Sequence, residues 1–136
     1  MKLTFRNLTL LFKNYMDPAK IDEKIMEREF TENEIGEAFG IALKALRTHK
    51  GYSIDKLAKL VDMQNSTLNR YENGLRVPSI AQAIKIADYF GVNIEMMVMM
   101  GLAAKEEGAD IGALYDQIQQ GNEMMKQLLA ITPKKG

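Results

Sequence analysis

The chain has 136 residues, of which 46% are hydrophobic and 26% charged; that is enough apolar material for one core and too much for a disordered chain. It contains no Cys and one His, His49, which excludes disulfides, thiolate chemistry, Cys-based zinc sites and polyhistidine metal sites. Eighteen basic side chains balance eighteen acidic ones, so a surface for a polyanion has to be sought locally rather than in the total.

An all-α fold is expected. There is no Trp, only three Pro, and ten Met, a helix former that packs adaptably. Residues 1–31 read as an N-terminal extension. Leu8, Leu11, Phe12 and Tyr15 fall at i, i+3, i+4 and i+7, the pattern of a short amphipathic helix. Leu3 and Phe5 alternate with polar residues, so a short strand is the alternative there. Lys2 and Arg6 precede a brief apolar run that Lys13 and Asn14 interrupt, with no small-residue cleavage site after it, which argues against a signal peptide. Asp17-Pro18 is a cap followed by a first-turn proline and opens a second helix through Ile21, Ile25 and Met26 to about Phe30.

Thr31-Glu32-Asn33-Glu34 is a capping box. The helix it starts carries Ile35, Phe39, Ala42, Leu43 and Leu46 on one face and stops at Gly51. Ser53 caps a short helix whose apolar face is Ile54, Leu57, Ala58 and Val61. A turn at Asp62-Met63 leads to another, from about Asn65 to Glu72, ended by Asn73-Gly74. Pro78-Ser79 opens a helix expected to turn Ile80, Ala83, Ile84, Ala87 and Phe90 inward. Asn93 caps a short helix from Ile94 to about Met100, and Gly101 to Gly108 reads as a linker. Asp110 caps a final helix reaching about Ile131. The apolar stretch Met96 to Ala104 is far short of the about 20 residues that span a bilayer. The boundaries expected are 1–31 for the extension, 32–100 for the central domain, and 101–136 for linker and C-terminal helix.

Residues 37–99 hold eight basic and six acidic side chains, so the centre is mildly basic between mildly acidic flanks. Within it, two short helices joined by a tight turn have the geometry that places a second helix in a DNA groove. From Ser53 to Ser79, with Leu57-Ala58 in the first helix, Met63 in the turn, Leu68 in the second, then Tyr71-Glu72-Asn73-Gly74 and Pro78, the chain resembles the Cro/CI-type (XRE-like, phage-repressor-like) helix-turn-helix family. Ile86-Ala87 and Phe90-Gly91-Val92 look like that family's later helices, so the resemblance covers roughly residues 35–99.

The resemblance implies a five-helix lambda-repressor-like domain that binds double-stranded DNA, with a helical extension before it and one helix after it. It implies base reading by Gln64, Asn65, Ser66, Asn69 and Arg70, residue types that suit base edges. Ser53, Asn73 and Arg76 are the phosphate contacts it implies, and Arg47 with Glu72 a partly buried structural ion pair. Two departures stand out. Asp62 holds the turn position where the family has Gly, and Ile54 the position where it often has a phosphate-binding Gln. Rival roles are first-turn capping for Asn65 and Ser66 and a solvated cation for Arg70; Tyr71 is expected to pack rather than to stack on a base. His49 is expected to be exposed and without function.

Two further features concern assembly. Met96, Met97, Met99 and Met100 either seal the core or form an adaptable contact surface. Ile111, Ile118 and Met125 are seven apart, with Leu114 and Leu128 at companion positions, a heptad seam for dimerisation that Gly121 interrupts. Packing of that helix back onto its own domain is the alternative. The function expected is a sequence-specific transcriptional regulator, a repressor binding a two-fold operator as a homodimer in the cytoplasm. The rivals are an antitoxin-type protein with a toxin partner, and a module that binds protein alone. Without Cys, with a solitary His and no phosphate-binding Gly loop, neither enzymatic activity, cofactor nor metal is expected.

Overall fold

The computed structural model describes Thr4 and residues 27–131. Their architecture is all-helical, in six helices: α1 Glu32–His49, α2 Ile54–Leu60, α3 Asn65–Glu72, α4 Ile80–Tyr89, α5 Ile94–Glu107 and α6 Ile111–Ile131. The first expected helix, and the second as far as residue 26, lie outside the described residues, as does the tail after Ile131. The second, expected to reach about Phe30, stops earlier, since Glu27 is helical whereas Glu29 is in a β-bridge and Arg28 and Phe30 are not helical.

Local chemistry sets most boundaries. Glu34 N donates to Thr31 Oγ1 and Thr31 N donates to Glu34 Oε1, both at 3.2 Å, which closes the capping box of α1. Ser53, Ser79, Asn93 and Asp110 each accept a backbone N–H three residues on, so α2, α4, α5 and α6 all begin on a side-chain cap. No single helix among the described residues is long and apolar enough to cross a membrane.

The core is centred on α5, which packs chiefly against α1. Met97, Met99, Met100, Leu102 and Ala103 are all buried, and so is Gly101. A helix apolar on every side has to lie inside its domain. The stretch expected to be a linker is therefore the second half of this helix. Gly101 is a packing residue: a Cβ there would collide with the carbonyl of Ala38 in α1. Of the methionines of this helix, Met97, Met99 and Met100 take the core role and Met96 is half-buried.

Two other expectations are corrected by the packing. On α4 the core takes Ala83, Ile86, Ala87 and Phe90, whereas Ile80 is 77% and Ile84 46% exposed. The segment is apolar around much of its circumference, so periodicity alone does not choose its buried face. On α6, Ile111, Tyr115 and Ile118 are buried in the chain's own core and Leu114 is half-buried. Ile111 and Ile118 thus cannot form a subunit seam in this packing, while Met125 and Leu128 stay exposed.

His49 is exposed, as expected, but it has partners. Its Nε2 lies 2.9 Å from Asp116 Oδ1, and its ring meets Tyr115 edge-on. Tyr115 Oη donates to the Phe90 carbonyl at 2.7 Å, a buried bond that, with a longer one from Gln119 Nε2 at 3.4 Å, satisfies the end of α4. The residues just before α1 join the fold as well. Phe30 is buried, Thr4 and Glu29 form an isolated antiparallel bridge, and Arg28 pairs with both Glu34 and Glu106.

Candidate nucleic-acid interface

Helices α2 and α3 are joined by a turn in which Asp62 has φ +53°. This is the left-handed region, where Asp is tolerated better than most residues. Met63 N donates to the Ala58 carbonyl at 2.9 Å across the turn, and Lys85 Nζ on α4 donates to the Asp62 carbonyl at 3.3 Å. The turn therefore keeps its shape without Gly. Leu57 and Ala58 from α2, and Val61 at its C-terminal cap, meet Leu68 and Tyr71 from α3, all buried.

The inner face of α3 consists of Leu68, Tyr71 and Glu72. Its outer face presents Gln64, Asn65, Ser66, Asn69 and Arg70, all exposed. The helix is pressed closely onto α1, because a Cβ on Gly40 would overlap the Tyr71 carbonyl oxygen. The end of α3 is fixed electrostatically. Arg47 Nε donates to Glu72 Oε2 at 2.7 Å and the second guanidinium nitrogen donates to Oε1 at 2.9 Å. The remaining arm of Arg47 donates to the Tyr52 carbonyl at 2.8 Å. Only 13% of the arginine side chain and 3% of the glutamate side chain are exposed. These hydrogen bonds to Glu72 raise the Arg47 pKa above its ordinary value, so the cation persists at any working pH.

The residues expected at the phosphates are Ser53, Asn73 and Arg76, all exposed. Ser53 Oγ caps α2, accepting from Lys56 N at 3.1 Å, so its hydroxyl proton is free to turn outward. Asn73 Nδ2 donates to the Asn69 carbonyl at 2.8 Å and to Asn69 Oδ1 at 3.0 Å, which ties the loop after α3 to its outer face. Arg70 and Arg76 are exposed and form no ion pair among the described residues. Asn65 does not spend its side chain on capping. It donates from Nδ2 to Asp55 Oδ1 on α2. Sequence patterns did not single out Asp55, Gly40 or the Tyr52 carbonyl, since each acts across two elements and no spacing signals it.

Two short helices at a tight turn, the second carrying a polar outer face on an apolar inner one, define a helix-turn-helix. Residues 43–96 match the family model described as Helix-turn-helix. A Pyrococcus horikoshii protein with the provisional name of an HTH-type transcriptional regulatory protein is 41% identical over 51 residues. The aligned stretch is 38% of this chain and 16% of that protein, so the chain spans about one-sixth of the relative's length. No solved structure matches the chain.

Proposed function

We propose that the protein is a sequence-specific, double-stranded-DNA-binding regulator of transcription, acting as a repressor on a two-fold operator. The observation that carries this reading is the two-sided character of α3. Its inner residues are locked into the core and by the Arg47–Glu72 pair, whereas Gln64, Asn65, Ser66, Asn69 and Arg70 remain exposed. Side chains with amide, hydroxyl and guanidinium groups on a rigid helix are suited to reading base edges in the major groove. Exposed Arg76, together with Ser53 and Asn73, would set the helix against the phosphates.

One such helix reads few bases, so a dimer on paired half-sites is the efficient arrangement. The far half of α6 suits that role. Met124, Met125, Leu128 and Leu129 are 64%, 57%, 59% and 66% exposed on a helix whose near half is anchored in the core. Competition binding with specific and random duplexes tests the proposal. Asn65→Ala and Arg70→Ala should each weaken the specific site by about 1–3 kcal/mol while random duplexes are little affected. Arg76→Ala should weaken all sequences alike and make the salt dependence shallower. Equal losses on specific and random DNA for the α3 variants would show that the helix does not read bases.

A further inference from the structure

Asp55 stands in the first turn of α2, exposed, at the edge that the reading above turns toward DNA. A carboxylate there repels phosphates and lowers affinity for every sequence. What it contributes in return follows from its hydrogen bond with Asn65. A carboxylate can only accept, so Asn65 has to direct Nδ2 toward Asp55 and Oδ1 away from it. Ile54, the neighbouring residue of α2, has no polar side-chain atom with which to do the same.

Nδ2 has two hydrogens, and Asp55 takes one. The amide is left with one donor and one acceptor, in a fixed order. Adenine offers the matching pair, an acceptor at N7 and a donor at N6. Guanine offers two acceptors, N7 and O6, and would face the amide oxygen with one of them. An amide free to turn over could bring its nitrogen to guanine instead. We propose that Asp55 is a specificity-determining positioning residue, which holds the Asn65 amide in the orientation that accepts adenine and rejects guanine. This rests on the assignment of α3 as a base-reading helix.

A purely structural role for Asp55 is also available, since a negative charge in a first turn complements the helix dipole. That role would be read out in the melting temperature and not in base preference. The two are separated by selecting duplexes from a random pool with the full-length protein and with its Asp55→Asn and Asp55→Ala variants. Asn keeps the size and a hydrogen bond but both donates and accepts, so it no longer dictates which way Asn65 faces.

The wild type should enrich a motif with adenine dominant at one position of each half-site. Both variants should bind random duplexes more tightly. Their adenine-over-guanine preference should fall about tenfold at that one position, within the discrimination of a single bidentate contact. Asn65→Ala should relax the same position. An unchanged base profile in both Asp55 variants, or relaxation at a position that Asn65→Ala leaves intact, would overturn the inference while leaving α3 as the reading helix. If the wild type enriched no motif at all, the assignment of α3 would fail and the role of Asp55 with it.

Discussion

Arg47 and Glu72 meet inside the protein, and their value lies in mutual satisfaction. Glu72→Ala strands a guanidinium that retains only the Tyr52 carbonyl. Losing one partner of such a pair costs about 3–5 kcal/mol, so thermal denaturation should show a fall in melting temperature of several degrees or more. Asp62 supplies a finer test. At φ +53° the backbone suits Gly, tolerates Asp and penalises a β-branched residue. Its ion pair with Lys85 is 3.8 Å long and the Asp62 side chain is almost wholly exposed, so little is lost by removing it. The expected order of melting temperatures is Asp62→Gly at or above wild type, and Asp62→Val clearly below. At Glu34 the backbone N–H of Thr31 holds the carboxyl below its ordinary pKa. A depressed folded-state pKa contributes stability above the unfolded value and loses it as pH falls through the folded one. Glu34→Gln keeps the reciprocal bond without the titration, so its stability should decline less steeply on acidification.

Helix-scale features were legible where one segment of sequence decides them. Thr31 and Glu34, Ser53, Ser79, Asn93 and Asp110 marked the helix starts, and Leu57, Ala58 and Leu68 the joint between α2 and α3. Features decided between segments were not legible. Gly101 looked like a breaker because nothing near it in sequence reveals that Ala38 presses on it. Ile80 and Ile84 looked inward because a segment apolar on several sides does not say which side is buried. Ile111 and Ile118 have the same spacing whether they meet a second subunit or their own core. The polar outer face of α3 was visible as residue types, but the Asn65–Asp55 bond depends on the angle between two helices. The close crossing at Gly40 has a direct consequence. Gly40→Ala pushes a methyl group into the Tyr71 carbonyl and should cost about 1–3 kcal/mol through overpacking. Denaturant titration measures that loss, and because α3 must shift, affinity for a specific duplex should fall with it.

At the scale of the molecule, α6 belongs to the domain for its first half and extends past it for its second. The Tyr115 hydroxyl, Gln119 and the His49–Asp116 contact fasten the first half to α4 and α1. Tyr115→Phe leaves the Phe90 carbonyl to Gln119 alone, a loss of about 1–2 kcal/mol measurable by chemical denaturation. Truncation separates the two halves. A chain ending at Gln120 keeps Ile111, Tyr115 and Ile118 and should remain folded while losing self-association in sedimentation. A chain ending at Gly108 removes all three from the core and should unfold at markedly lower temperature. Equal self-association in the Gln120 truncation and the full chain would place the subunit contact elsewhere.

The locked inner face of α3 has a consequence for redesign. Leu68, Tyr71 and Glu72 bear the packing, and Ser66 and Arg70 share none of it. Exchanging those two for other polar residues should alter the chosen DNA address at little thermodynamic penalty. Asn65 and Asn69 are less portable, because each has an intramolecular partner that a new side chain would have to suit. A combinatorial library built on this scaffold would therefore randomise Ser66 and Arg70 freely, vary Asn65 together with Asp55, and vary Asn69 together with Asn73.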